Sequence, residues 1–192
     1  MKHFVLKKIV LIGSSTGGPG QLVKIIQKLP KLESTVVVIG QHMVDGFLES
    51  FSQSLKNHGK NSVSIVQEEK CLRVGEIYVC EGETKVQKRG GELLFLHENA
   101  TKSSYNPNIN TLFGSFVHIS HEFEIIAAIL TGIGDDGIDA CVNLSKNGVR
   151  CLTETSNSAI VDGMPCRARL LVPNVEIHCI ADIVNIISEF CE

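Results

Sequence analysis

The sequence contains no long apolar run, no long basic run and no closely spaced pair of cysteines. No apolar run approaches the roughly 20 residues that cross a bilayer, and the apolar stretch near the N-terminus is too short for a signal peptide. We therefore expect no membrane insertion. A formal net charge of −3 without a basic run argues against nucleic-acid binding. The seven cysteines form no C-x-x-C pair, which indicates reduced thiols in a cytoplasmic protein rather than a disulfide framework or a zinc site.

The composition itself is that of an ordinary globular protein, with 43% hydrophobic and 20% charged residues in a chain of 192. Continuous apolar runs over residues 35–39 and 124–130 are typical of parallel strands that are buried on both faces. Between such runs, apolar residues recur at helical spacing, as over residues 20–29 and 138–146. This alternation predicts an α/β fold, doubly wound, with a mostly parallel sheet that is covered by helices on both faces.

An added β-hairpin is predicted around Gly90 and Gly91, between strands at 84–88 and 92–96. The polar segment 98–110 predicts a loop. The remaining predictions are strands at 62–66, 76–79 and 149–152, a helix at 47–55 with Asp45 as its N-cap, and helices at 112–120 and 180–190.

The stretch from Ile9 to Gly20 joins a predicted strand to a predicted helix through a turn of small residues. Residues 13–17 (GSSTG) fit G-x-S-x-G, a pattern that lifts a serine hydroxyl on a sharp turn, beside backbone N–H groups that stabilise an oxyanion. The same glycines also suit a phosphate-binding loop, and a purely structural turn is a third interpretation. The dinucleotide pattern G-x-G-x-x-G is not matched, because Ser15 takes the place of its second glycine.

Ser15, His42 and Asp136 follow three of the predicted strands. The carboxyl ends of parallel strands lie at one edge of a sheet, so these side chains can meet in one crevice. A serine hydroxyl becomes a strong nucleophile when an imidazole accepts its proton and a carboxylate orients that imidazole. Each residue also has a plain structural interpretation, namely a turn serine, a histidine bonded to a backbone carbonyl and a cap for the next helix. Asp135 is the rival carboxylate.

Six segments carry a resemblance to a known family. In chain order they are IGSSTGG (12–18), QHM (41–43) with Gly46, Phe47 and Phe51, GEIYV (75–79), LF with Ser115 (112–115), LTGIGDDG (130–137) and SAIVDGMP (158–165). On these segments the chain resembles the chemotaxis protein-glutamate methylesterase family, from residue 12 to about residue 169. The family fold is a doubly wound parallel sheet with an added hairpin, which agrees with the prediction from the apolar pattern.

The resemblance implies that Ser15 is the nucleophile, His42 the general base and Asp136 its orienting acid, in preference to the neighbouring aspartate. It also implies that Thr16 and the backbone of Ile133 line the oxyanion site, and that no cofactor or metal takes part. The family hydrolyses glutamate methyl esters on the cytoplasmic helices of methyl-accepting chemoreceptors, in chemotaxis adaptation. Many members also deamidate receptor glutamines.

The chain departs from the family pattern at Val44, Lys85 and Asn106, where proline, histidine and arginine are frequent. We expect these positions to lie around the substrate groove and to affect receptor recognition rather than the chemistry. We also expect residues 1–192 to form one catalytic domain without the family's usual N-terminal receiver domain, with a groove that a regulatory protein can reach in trans. Two rival functions stay open. One is a hydrolase of this fold acting on another ester or amide, and the other is a non-catalytic module that binds a nucleotide phosphate.

Overall fold

The strands and helices alternate along most of the chain, in a computed structural model that describes residues 5–44, 46–98 and 104–192. The described strands are β1 (Lys8–Ser14), β2 (Thr35–Gln41), β3 (Ser62–Val66), β4 (Lys70–Cys71), β5 (Glu76–Cys80), β6 (Glu83–Arg89), β7 (Glu92–Glu98), β8 (Glu124–Ile129), β9 (Arg150–Glu154) and β10 (Glu176–His178). The described helices are α1 (Gly18–Lys28), α2 (Leu48–His58), α3 (Ile109–Gly114), α4 (Ile138–Lys146), α5 (Met164–Leu171) and α6 (Ile180–Phe190), with a 3₁₀ turn at Val117–Ile119.

Seven of the described strands form a parallel sheet in the order β10-β9-β8-β1-β2-β5-β3. β1 pairs with β2 on one side and with β8 on the other, so the chain first extends the sheet in one direction and then returns to extend it in the other. A smaller antiparallel sheet, in the order β4-β7-β6, contains the predicted hairpin. The predicted fold class is confirmed.

The central strand β1 supplies alternate side chains to two hydrophobic cores. Ile9 and Leu11 face the core that holds α3, α4, α5 and the hairpin, while Val10 and Ile12 face the core that holds α1, α2 and α6. All four side chains are fully buried. Burial on both faces explains why the sequence of this strand is continuously apolar rather than alternating.

Some predicted boundaries were wrong. The helix predicted at 112–120 is replaced by α3 and the 3₁₀ turn. The helix begins earlier, at Ile109, because the side chain of Asn108 accepts a hydrogen bond from Thr111 N at 2.9 Å. The short strands β4 and β10 and the helix α5 were not predicted, since two or three residues show no periodicity and the eight residues of α5 (MPCRARLL) show no clear apolar stripe at helical spacing. The predicted cap Asp45 lies outside the described residues.

All seven cysteines are free thiols, and four of them (Cys80, Cys141, Cys151 and Cys191) are buried. Burial raises the pKa of the Cys80 thiol far above its usual range, so this side chain behaves as a small apolar group. None of the described helices is both long enough and apolar enough to cross a membrane.

Candidate active site

The three predicted catalytic residues follow neighbouring strands of the parallel sheet. Ser15 comes directly after β1 and His42 directly after β2, whereas Asp136 lies in the loop between β8 and α4. β8, β1 and β2 are adjacent, and the direction in which the chain extends the sheet reverses between β8 and β1. Crevices at the carboxyl ends of strands beside such a reversal are the usual ligand sites of open parallel sheets.

The turn after β1 separates two adjacent serines. Ser14 is fully buried, and its hydroxyl donates a 2.7 Å hydrogen bond to Gln41 Oε1. Ser15 is half-buried and lines an open pocket of about 800 Å³. The turn requires glycine twice, because Gly17 has a positive φ of 86° and a Cβ at Gly18 would lie 2.1 Å from Gln41 Oε1. The backbone therefore points Ser15, and not Ser14, at the pocket.

Gln41 connects the turn that carries Ser15 to the histidine. Its side chain is buried, and its amide nitrogen donates to the carbonyl oxygens of Ser15 and His42 at 2.9 and 2.8 Å. His42 N in turn donates to Ser14 O at 2.9 Å. The ends of β1 and β2 are thereby held in one fixed arrangement, which restricts how the two functional side chains can move relative to each other.

Asp136 is the carboxylate that contacts the histidine. His42 Nε2 lies 2.8 Å from Asp136 Oδ2, and only 1% of the Asp136 side chain is exposed. The same carboxylate accepts hydrogen bonds from Ile109 N at 2.7 Å and from Asn110 N at 2.9 Å. It therefore binds the first backbone N–H groups of α3 and not those of α4, the helix that directly follows it. Three donors stabilise its charge although it is buried.

With Nε2 bonded to Asp136, Nδ1 is the imidazole nitrogen that can accept a proton from another group. This is the reverse of the trypsin-like arrangement, in which the aspartate binds Nδ1–H and Nε2 serves as the base. Either nitrogen can act as the base, because neutral imidazole has one donor and one acceptor nitrogen. Within the described residues Ser15 Oγ donates no hydrogen bond, so its hydroxyl is open to the pocket. Such contacts often tighten only when substrate binds.

Tyr105 covers the histidine from the loop that precedes α3. Its ring stacks on the His42 imidazole with centroids 4.9 Å apart and an angle of 12° between the planes. Its hydroxyl lies 3.3 Å from Asp135 Oδ1. Partial burial and the Asp135 carboxylate raise the pKa of Tyr105. Asp135 itself is exposed, so the two neighbouring aspartates have different surroundings, with Asp136 buried against the imidazole and Asp135 at the surface.

The two residues predicted to line an oxyanion site, Thr16 and Ile133, lie beside Ser15 at the pocket. Thr16 and Ile133 both line the pocket, and neither of their N–H groups donates a hydrogen bond within the part of the chain that the structure describes. Ser15 N, by contrast, donates to Thr131 O at 2.9 Å. The assignment of the Thr16 and Ile133 N–H groups to an oxyanion site stays a prediction.

The departures from the family pattern fall at different distances from the pocket. Val44 and Asn106 line it, and Val44 is 70% exposed. Lys85 is exposed on β6 opposite Leu96 and is not among the residues that line the pocket. The expectation that all three surround the groove is therefore supported for Val44 and Asn106 only.

Three contributors to this region were not predicted from the sequence, namely Gln41, Tyr105 and Glu154. Gln41 is the last residue of β2 and Glu154 the last residue of β9, and both side chains are polar and buried. A polar residue at the last position of a buried strand was the sequence feature that could have indicated these two residues. Tyr105 follows the part of the loop that is not described, and no periodicity indicates its stacking.

Comparisons with known proteins agree with this geometry. The model of the CheB methylesterase family matches residues 10–187. The protein-glutamate methylesterase/protein-glutamine glutaminase 2 of Carboxydothermus hydrogenoformans is 34% identical over 168 residues, which cover 84% of this chain and 47% of that protein. The protein-glutamate methylesterase/protein-glutamine glutaminase of Bacillus licheniformis is 33% identical over 163 residues, which cover 83% of this chain and 45% of that protein.

A solved structure extends the similarity to the whole fold. The crystal structure of the Thermotoga maritima CheB methylesterase catalytic domain superposes with a TM-score of 0.85 at 27% identity, and the match covers 96% of this chain and 99% of that domain. The chain spans about half the length of the curated relatives it matches. The extent of the family match and the identity to these relatives show that the chain belongs to the CheB methylesterase family.

Proposed function

We propose that this chain is a serine esterase that hydrolyses glutamate methyl esters on the cytoplasmic helices of methyl-accepting chemoreceptors. The observation that carries the proposal is the buried Asp136–His42 pair, which opens into the same pocket as the Ser15 hydroxyl. The family membership supports the reaction class, and the names of the relatives supply the glutamate methyl ester. The cytoplasm follows as the compartment in which those helices lie.

In the proposed mechanism, Asp136 accepts the Nε2–H of neutral His42 and fixes the tautomer whose Nδ1 carries a lone pair. As Ser15 Oγ attacks the ester carbonyl carbon, Nδ1 takes the hydroxyl proton. The carbonyl oxygen becomes an oxyanion, and the N–H groups of Thr16 and Ile133 donate to it. Collapse of this intermediate breaks the bond to the methoxy group, which leaves as methanol with the proton from Nδ1.

Water completes the cycle. His42 takes a proton from a water molecule, whose oxygen attacks the acyl group on Ser15, and then returns that proton to Ser15 Oγ as the glutamate carboxylate leaves. The net reaction consumes one water and yields one methanol and one carboxylic acid. Tyr105, stacked on the imidazole, limits the orientations that the ring can adopt during both proton transfers.

We propose glutamine deamidation as a second reaction of the same site. Both relatives described above are named as protein-glutamine glutaminases as well as methylesterases. The side-chain amide of glutamine has the same acyl carbon, and imidazolium would protonate the leaving ammonia as it protonates methanol. Ammonia release from a receptor with glutamine at the modified position tests this reaction, and methanol release in the absence of ammonia release would contradict it.

The phosphate-binding alternative receives little support from the pocket. Among the described residues that line it, none is lysine or arginine, and the buried carboxylate of Asp136 lies directly behind the imidazole. A phosphate would therefore meet no side-chain cation other than a protonated histidine. The other alternative, a hydrolase of this fold for another ester or amide, differs from the proposed function only in its substrate. A product assay distinguishes the two.

The test combines a serine-directed fluorophosphonate probe with product detection. We expect mass spectrometry to find the probe on Ser15 of the native chain and methanol to be released from methylated receptor membranes. Labelling at Ser15 without methanol release would favour a hydrolase for another ester or amide. Absence of labelling would contradict both esterase proposals.

A further inference from the structure

Glu154, the last residue of β9, places a carboxylate in the protein interior next to the site. Its side chain is fully buried and accepts three hydrogen bonds. The donors are Thr131 N at 2.7 Å, Gln21 Nε2 at 2.8 Å and Ser158 Oγ at 2.9 Å. Arg169 donates to the backbone oxygen of Glu154 but pairs its charge with Asp162, at 2.6 Å in each case.

Thr131 connects this carboxylate to the turn that carries Ser15. Its carbonyl oxygen accepts a hydrogen bond from Ser15 N at 2.9 Å, and its hydroxyl donates to Thr16 O at 2.9 Å. The hydroxyl also accepts from Val161 N at 2.8 Å. Thr131 thus contacts Ser15 and Thr16 directly, and it lies two residues before Ile133. Its own N–H is fixed by Glu154 Oε1.

We propose that Glu154 is a positioning residue for the reaction. Its Oε1 holds the Thr131 peptide in the orientation that places Ser15 Oγ and the N–H groups of Thr16 and Ile133 around one reacting carbonyl. The inference rests on the proposed function, because it assigns Glu154 an effect on the reactivity of Ser15. The residue acts through Thr131 and does not contact substrate.

The cost of burying this group supports a role beyond filling space. A carboxylate that is removed from water without a cation pair is expensive, and an apolar side chain of similar volume fills a core at lower cost. Gln21 Oε1 is also buried without a hydrogen-bond partner among the described residues, so the network is not fully satisfied. Such a network is retained more readily where it orients reacting groups, since a displacement of about 1 Å can cost roughly 10²-fold in rate.

The test compares Glu154→Gln with Glu154→Asp, because they separate the acceptor from the charge. The glutamine variant keeps an oxygen for Thr131 N, and Gln21 can turn its amide so that its unpaired oxygen faces the new NH₂ group. The aspartate variant keeps the charge but is one methylene shorter, which withdraws the acceptor from Thr131. Glu154→Met, which has similar volume and no acceptor, replaces the aspartate variant should that variant not fold. Ser158→Ala is the matched control. It removes another donor to the same carboxylate, together with the acceptor of Ile180 N, and it leaves the Thr131 contact to Glu154 in place.

The readout is the second-order rate of fluorophosphonate labelling at Ser15, measured on chains whose folding is verified by thermal melting. We expect Glu154→Gln and Ser158→Ala to label within about fivefold of the wild-type rate, and Glu154→Asp or Glu154→Met to label on the order of 10²-fold more slowly. A purely structural role would lower the melting temperature of all the variants without changing the rate per folded molecule. Wild-type labelling of the aspartate or methionine variant, or equal slowing in Glu154→Gln, would overturn the role of Glu154. A wild-type chain that is not labelled at Ser15 would instead refute the proposed function.

Discussion

Two contacts between a histidine Nε2 and a carboxylate, one at the candidate site and one on an edge strand, can be compared within the described residues, and they differ in distance and in burial. His42 and Asp136 lie 2.8 Å apart at the carboxyl end of the central strands, with 12% and 1% of their side chains exposed. His178 and Glu176 lie 3.3 Å apart on the edge strand β10, with 32% and 36% exposed. A histidine–carboxylate contact alone therefore does not identify a catalytic pair.

The other partners of each carboxylate account for the difference. Asp136 receives two backbone N–H groups from the start of α3, which do not change with pH and leave the histidine as its titratable partner. Glu176 accepts two hydrogen bonds from Arg150, one on each carboxylate oxygen, at 2.6 and 2.7 Å, so its charge is already neutralised. Arg150 and, to a smaller extent, His178 lower the pKa of Glu176. Of these two carboxylates, Asp136 is the one without an arginine partner, so its negative charge can stabilise a protonated imidazole.

The largest expected effect distinguishes the two adjacent serines. We expect Ser15→Ala to lower ester hydrolysis by roughly 10⁴- to 10⁶-fold, the range found when a catalytic triad member is removed. Ser14→Ala should retain most activity and lose roughly 1–3 kcal/mol of stability, because it leaves the buried Gln41 Oε1 without its hydrogen-bond donor. Initial rates and thermal melts of both variants check this expectation. Comparable activity in the two variants would remove Ser15 from the mechanism.

The second prediction compares the carboxylates of the two pairs. We expect Asp136→Asn to reduce turnover by about 10⁴-fold, since the amide cannot hold the productive tautomer. It should also lower stability, because its NH₂ group faces a backbone N–H or the imidazole N–H. Glu176→Gln should leave turnover unchanged. Asp135→Asn, which changes an exposed carboxylate, should cost far less than Asp136→Asn. The opposite ranking of the two aspartates would show that the orienting carboxylate was assigned to the wrong residue.

The third prediction concerns Tyr105, whose ring stacks on His42. Among the described residues, no aromatic ring stacks on His178. Aromatic pairs contribute about 0.5–1.5 kcal/mol beyond the area they bury, which corresponds to at most about a tenfold change in rate. We expect Tyr105→Leu to lower kcat by up to about tenfold and Tyr105→Phe, which keeps the ring, to have a smaller effect. Steady-state kinetics on both variants measures this. A larger loss in the phenylalanine variant would indicate that the hydroxyl matters more than the stacking.

The smallest expected effect is on the exposed pair. Arg150 and Glu176 are both at least a third exposed, so their ion pair should contribute at most about 1 kcal/mol. Because the folded-state pKa of Glu176 is lowered, this stabilisation is present above the unfolded pKa of about 4.3 and is lost as the pH falls through the folded value. The melting temperatures of wild type and Glu176→Gln should therefore differ slightly at pH 7. They should converge as the pH falls below the folded-state pKa of Glu176. A difference in melting temperature that grows as the pH falls would contradict the predicted direction.

Much of the fold could be predicted because its strands are buried on both faces, which leaves continuous apolar runs such as β2 and β8 in the sequence. The edge strand β10 shows no such run, since it is short and only partly buried. Ser15 and His42 could be located as candidates because each directly follows a strand. The choice of Asp136 over Asp135 could not be made from the pattern, because the loop between Gly134 and Gly137, both with positive φ, decides which carboxylate turns inward.

Contacts between distant segments were beyond sequence reasoning. Gln21 forms a hydrogen bond with Glu154, 133 residues away in the sequence, and Gln41 forms one with Ser15, 26 residues away. No local sequence pattern indicates either contact. These contacts depend on which strands become neighbours, so they follow from the topology of the sheet rather than from any segment of it. The same holds for the backbone N–H groups of α3 that bind Asp136.

The most direct test of the proposed activity is methanol release from methylated chemoreceptor membranes, measured for the purified wild-type chain beside Ser15→Ala. We expect one methanol for each ester hydrolysed by the wild type and no release above background for the variant. Equal release by both chains, or none by a wild-type chain that a fluorophosphonate labels at Ser15, would contradict the proposed esterase activity on receptors.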